Sequence, residues 1–125
     1  MLDISVVKDL FPLWTEYCDN TDATLQREMD RASEFMQEYI PGLNSDNITD
    51  PLKLHYMNIV RKRCFDLKLG DREFEHKPPI LRDFEYTLEQ LEKYRTDQIA
   101  GPTIDTSEKT ITMSAKDRRF DTWFL

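Results

Sequence analysis

The chain has 125 residues, of which 39% are hydrophobic and 33% are charged, and its formal net charge is -7. This length fits one domain with a modest core. No window approaches the ~18 consecutive apolar residues of a membrane helix, and the first residues lack the pattern of a secretory signal, so no membrane partner is expected. The acidic balance argues against general affinity for nucleic acid.

Apolar residues at helical spacing predict two helices in the first third of the chain. Residues 4–11 form the first, which Pro12 ends. A second helix spans 22–40, with Thr21 or Asp22 as its N-cap and Pro41-Gly42 at its end. Its apolar residues recur at steps of four and three, the spacing of one helix face. They are Leu25, Met29, Ala32, Met36 and Tyr39.

Two further helices follow, and they complete a mainly α, small four-helix bundle over residues 1–102. Asp50 is expected to cap the third, with Pro51 at its first position. That helix runs to about Leu69, where Gly70 is expected to supply a left-handed cap. Its broad apolar stripe predicts the central helix. The fourth begins at Pro78-Pro79, carries apolar residues as far as Ile99 and stops at Gly101-Pro102.

Residues 103–125, the C-terminal arm, have a different character. The arm holds four acids and four bases, so the whole net charge of -7 belongs to residues 1–102. Alternation over 110–113 predicts a short strand, which is not stable alone and must pair. The sequence closes on three large apolar side chains that are expected to dock, either on the chain's own helices or on another molecule. The candidate partner-binding residues are Ile111, Met113, Arg118, Arg119, Phe120, Trp123, Phe124 and Leu125.

Signatures of catalysis and metal binding are missing from the sequence. Each of the three glycines follows a predicted helix, and together they form no phosphate-binding loop. Neither histidine has a carboxylate or cysteine at the spacing of metal ligands. We therefore expect a protein that is not an enzyme and has no cofactor. His55 is interpreted as a packing residue and His76 as an exposed loop residue. Cys18 and Cys64 are expected to be free thiols, with a single disulfide as the alternative.

Two charged clusters leave alternatives open. Arg61, Lys62 and Arg63 fan out around a helix, so they form either a solvated, ion-paired face or a contact to a partner protein or phosphate. Glu85, Glu89 and Glu92 share one helix face with no base between them on it. That face is either solvated, or it lines an acidic channel or meets a basic partner.

The order of these elements resembles the small head–tail connector proteins of tailed bacteriophages, and the Mu-like small connector family has a similar arrangement. The resemblance covers most of residues 4–120 and rests on the order and spacing of elements: a short helix ending near Pro12, an acid-capped helix, a helix starting at Pro51, a fourth long helix, and a strand-like tail bearing Ser114, Arg118 and Phe120.

The resemblance implies a structural virion protein. Its expected partners are copies of itself in a ring, commonly of twelve, together with the portal protein and a tail or stopper protein. DNA passes through the acidic lumen without sequence-specific binding. The expected location is the virion neck, after assembly in the cytoplasm of the bacterial host. The alternative function is a small regulatory or antitoxin-like protein-binding module whose C-terminal arm wraps a partner, and which binds one-to-one or as a dimer.

Overall fold

The computed structural model describes residues 1–102, and these are mainly helical. The five helices in this range are α1 (Ile4–Leu10), α2 (Trp14–Tyr17), α3 (Asp22–Tyr39), α4 (Asp50–Leu69) and α5 (Pro79–Arg95). The predicted strand and all the candidate partner-binding residues of the C-terminal arm lie outside the described residues. Four of the five helices correspond to those predicted. The short α2 was not predicted, because four residues are too few to display a helical period.

The long helices α3, α4 and α5 pack against one another, and α2 packs against α4. Helix α4 is central, as its broad apolar stripe predicts, and it buries residues on most of its circumference between Leu52 and Phe65. Every helix contributes to the core, from Val7 in α1 and Trp14 in α2 to Leu91 in α5. The body is therefore held together by apolar contacts between helices distant in sequence.

The helix starts follow the predicted signals to within one residue. Thr21 caps α3, and the amide of Leu25 donates to its carbonyl at 3.2 Å. The predicted cap Asp50 is instead the first residue of α4, because the backbone amide of Lys53 donates to the carbonyl of Thr49 at 2.9 Å. Thr49, with an extended backbone, is thus the N-cap, and Pro51 takes the second helical position.

The end of α5 differs from the prediction, which continued the helix to Ile99. The helix ends at Arg95 because Asp97 adopts a left-handed conformation with φ of 62°. The amide of Gln98 donates to the carbonyl of Lys93 at 2.8 Å, and that of Asp97 to Tyr94 at 3.2 Å. This pair of hydrogen bonds is a Schellman motif, with aspartate at the position where glycine is most common.

Gly70 was predicted to be a left-handed cap, and this prediction is wrong. Its φ of -61° is that of an ordinary helical residue. A Cβ at this position would lie 2.8 Å from the backbone oxygen of Asp66, so close approach is what favours glycine here. Gly42, after α3, does adopt a positive φ of 88°.

Candidate functional site

The basic residues 61–63 of α4 point to three different neighbours. Arg61 donates to the carbonyl of Leu10 at 3.1 Å and to the side-chain oxygen of Asn58 at 3.3 Å. Partial burial lowers the pKa of its guanidinium. Lys62 pairs with Asp66 one turn along the helix and lies 5.1 Å from the centre of the Phe84 ring. Both cations are thus already engaged within the chain.

Arg63 pairs with a buried carboxylate that the sequence did not reveal. Its Nε lies 2.9 Å from one oxygen of Glu28, whose side chain is only 3% exposed, and Arg27 Nε lies 3.0 Å from the other oxygen. This contact agrees with the interpretation that the basic cluster is part of an ion-paired face, here through Glu28 of α3. Glu28 could have been suspected, because it stands three residues after Leu25 and one before Met29 on the apolar stripe.

Replacing Arg63 with alanine is expected to lower the free energy of unfolding by about 2 kcal/mol. The substitution leaves the buried carboxylate of Glu28 with Arg27 as its one remaining cationic neighbour in the described part of the chain. Urea denaturation followed by circular dichroism measures the change. The matched control is Arg31→Ala, because Arg31 is exposed and makes no ion pair within residues 1–102. Equal effects of the two substitutions would contradict the assigned role of Glu28.

A buried polar cluster joins α4 to α5. Asn58 Nδ2 donates to the hydroxyl of Thr87 at 2.9 Å, and His55 Nδ1 lies 3.0 Å from the same hydroxyl. All three residues are buried, and burial lowers the pKa of His55. His55 is thus a packing residue, as predicted. Thr87 was missed, although its position three residues after Phe84 and four before Leu91 places it on the apolar stripe.

The depressed pKa of His55 makes stability depend on pH. In the unfolded chain the imidazole of His55 binds a proton near pH 6.5, whereas in the folded protein it does so only at lower pH. Protonation of His55 therefore favours unfolding. The contribution of His55 is complete above pH 6.5 and is lost as pH falls towards the folded-state pKa. We expect His55→Gln to lose less stability than the wild type between pH 7.5 and 5.5, measured by urea denaturation. The exposed His76 is present in both the wild type and the variant, so it does not account for a difference between their pH profiles. Parallel pH profiles would contradict the expectation.

The acidic face of α5 is less uniform than its sequence suggests. Glu85 pairs with Lys77 from the preceding loop, and Glu92 pairs with Arg95 on the same helix. Glu89 is exposed and makes no ion pair within residues 1–102. No base lies between the three glutamates on this face, as the sequence indicates, but two of the three pair with bases outside that span, one in the preceding loop and one in the last turn of the helix.

A groove opens where the end of α4 meets the loop before α5. Its apolar lining comprises Phe65, Leu69, Phe74, Leu81, Phe84 and Leu88, and its cavity volume is about 370 Å³. The rings of Phe65 and Phe74 meet at 5.7 Å between centroids, and Phe74 remains 39% exposed. We call this feature the α4–α5 groove. It was not predicted, because the sequence alone does not show which apolar residues the loop leaves uncovered.

Cys18 and Cys64 are free thiols in the structure, as predicted. Their Sγ atoms lie 3.6 Å apart in the core, and burial raises the pKa of both. Within residues 1–102, no group of three histidine, cysteine, aspartate or glutamate side chains converges where it could hold a metal ion. The same residues include no helix with the length and apolar character needed to cross a bilayer.

The chain therefore offers two kinds of candidate site: the α4–α5 groove, which the structure places, and the arm residues 111–125, which lie outside the described part. Comparison of the chain with protein-family models, with curated proteins and with solved structures finds no match.

Proposed function

We propose that this protein is a structural subunit of a phage neck: a head–tail connector that forms a ring beneath the portal and joins it to the tail. The observation that carries the proposal is that the apolar core of the body and the candidate binding residues lie in different parts of the chain. The core of the described body is drawn from residues between Val7 and Leu91. The arm concentrates arginine and aromatic residues, the types that dominate binding energy at protein interfaces, within residues 118–125.

In this proposal, the helical body of residues 1–102 makes the wall of the ring, and residues 103–125 form an extended arm. The polar segment 103–109 gives the arm reach. Ile111 and Met113 lie in the segment 110–113, which adds as a short strand to an exposed edge on a partner. Arg118, Arg119, Phe120, Trp123, Phe124 and Leu125 anchor the end of the arm.

The charge distribution supports a passive wall for DNA. Residues 1–102 carry the whole net charge of -7, and Arg61, Lys62 and Arg63 already contact other groups of the same chain. A surface of this sign repels the phosphate backbone and favours sliding over binding. Of the three glutamates on the acidic face, Glu89, with no ion pair in the described range, is best suited to face the lumen.

The test of the proposal is stoichiometry. Mass photometry of the full chain, alone and with the portal protein encoded by the same genome, is expected to give one large symmetric complex, with twelve copies of this chain as the expected number. Negative-stain images of that complex are expected to show a ring. A complex of one or two copies with a partner would instead support the regulatory or antitoxin-like alternative. Such a result would overturn the connector proposal.

We expect no detectable binding of the full chain to duplex DNA at physiological salt. Fluorescence anisotropy with a labelled 20-base-pair duplex measures this at protein concentrations up to tens of micromolar. The control is the triple variant Glu85→Lys, Glu89→Lys and Glu92→Lys, which reverses the acidic face and is expected to gain salt-sensitive binding. Tight binding by the unmodified chain would contradict the passive wall.

A further inference from the structure

The α4–α5 groove has the size and lining of a receptor for aromatic side chains. Its volume of about 370 Å³ lies within the range of ligand-binding pockets, roughly 300–1,000 Å³. Three phenylalanines, Phe65, Phe74 and Phe84, contribute to the lining. Aromatic pairs in tilted arrangements add binding energy beyond the area they bury. An occupant with at least one large aromatic side chain would therefore fit the groove.

The charges around the groove specify the occupant further. Lys62 pairs with Asp66 and Lys77 pairs with Glu85, so these four charges are balanced within the groove walls. In the adjoining loop, three exposed acids make no ion pair within residues 1–102, and neither does Arg72. The three acids are Asp71, Glu73 and Glu75. The mouth of the groove is thus flanked by an acidic loop in which the Arg72 guanidinium makes no ion pair within the described residues.

Residues 118–125 match this pattern. The segment reads Arg-Arg-Phe-Asp-Thr-Trp-Phe-Leu, with two bases before a run of aromatic side chains and one acid inside that run. We propose that the α4–α5 groove receives residues 118–125 of a neighbouring copy of this chain. Trp123 enters the apolar cavity, Asp121 meets Arg72, and the two arginines meet the acidic loop. This inference rests on the proposed function and names the receptor site for its docking arm.

The length of the arm favours a neighbour over the chain's own groove. Along α5, Phe84 lies only about 17 Å from Arg95, at 1.5 Å per residue. Residues 103–117 span up to about 50 Å when extended. A compact body of this size has a diameter of roughly 33 Å. The arm is therefore far longer than its own groove requires, and its surplus matches the distance across one adjacent subunit.

A photocrosslinking experiment on the full chain tests the proposal. Unlabelled chain with p-benzoylphenylalanine at position 123 is mixed with a tenfold excess of ¹⁵N-labelled unmodified chain before assembly, then irradiated and digested. We expect the light peptide that contains position 123 to crosslink to heavy peptides from residues 62–88. Crosslinks only to light peptides of that region would mean that the arm folds onto its own chain, and this would overturn the proposal. Crosslinks to another region would also overturn it.

Two sets of variants distinguish a specific groove from general stickiness. Phe74→Ser in the heavy chain is expected to reduce the heavy-peptide crosslink at least fivefold. Tyr86→Ser in the heavy chain alters another exposed aromatic residue of the body and is expected to leave the crosslink unchanged. Arg72→Asp in the heavy chain is expected to reduce the crosslink, and Asp121→Arg in the light chain that carries the probe is expected to restore it. Failure of this rescue would contradict the contact between Arg72 and Asp121, and with it the proposed placement of residues 118–125 along the groove.

The proposed function and the docking site fail in different ways. If rings form but position 123 never crosslinks to residues 62–88 of another chain, the groove assignment is wrong and the connector proposal stands. If the full chain stays monomeric with portal present and no crosslink between chains forms, both proposals are overturned. If crosslinks between chains form in a simple dimer, the groove assignment holds and the connector proposal is overturned.

Discussion

Replacing Thr87 with valine is expected to lower the free energy of unfolding by about 3 kcal/mol, although valine has nearly the same shape as threonine. The Thr87 hydroxyl contacts both Asn58 Nδ2 and His55 Nδ1, and all three residues are buried between α4 and α5. Valine leaves two buried polar groups without this partner, and each unsatisfied group costs about 1–3 kcal/mol. Urea denaturation at pH 7.5, followed by circular dichroism at 222 nm, measures the loss.

The control for this substitution is Thr87→Ser, which keeps the hydroxyl and removes one methyl group. Loss of a buried methyl group costs about 1 kcal/mol, so serine is expected to be clearly better tolerated than valine. The opposite order would mean that the methyl group matters more than the hydroxyl. The polar cluster would then contribute no net stability to the contact between α4 and α5.

Deletion of residues 115–125 is expected to abolish assembly and to leave the helical body intact. The described residues between Val7 and Leu91 form a buried core of their own, so we expect the body to keep its fold when the end of the arm is removed. We expect unchanged ellipticity at 222 nm and a Tm within about 3 °C of the full chain, since 1 kcal/mol corresponds to about 4–8 °C in a domain of this size. Mass photometry with portal is expected to detect no ring.

The matched control alters the arm without removing its anchors. Thr106→Ala combined with Ser107→Ala changes the polar segment only and is expected to assemble normally. Loss of helical signal in the truncated chain would show that the arm is part of the monomer core. Rings of normal size from the truncated chain would show that assembly depends on other surfaces.

The number and order of the long helices were readable from the sequence, because they depend on local signals. Within a helix proline is tolerated only in the first turn, so Pro51 and Pro79 indicate helix starts, and Pro12 and Gly42 mark where helices end. The apolar stripe of α3 identified its buried face, since a period of three and four residues places side chains on one side of a helix. The central place of α4 followed from the breadth of its stripe.

The tertiary structure decided how polar residues are used, because their partners lie far away along the chain. Glu28 meets Arg63 across 35 positions, and His55 meets Thr87 across 32. No periodic pattern encodes such pairs, since a buried polar residue leaves only a gap in an apolar stripe. The exact end of α5 depends instead on local backbone, the left-handed conformation of Asp97 and the hydrogen bonds back to Lys93 and Tyr94. The sequence did not reveal it because glycine, not aspartate, is the usual residue at such a position.

The two halves of the proposed docking contact show the same division. By itself, the sequence determined that residues 118–125 combine arginine and aromatic side chains, because composition over eight residues is a local property. Only the tertiary structure decided that Phe65, Phe74 and Phe84 line one groove beside an acidic loop. These residues belong to α4, the following loop and α5, and a shared surface between separate elements exists only once the helices have packed.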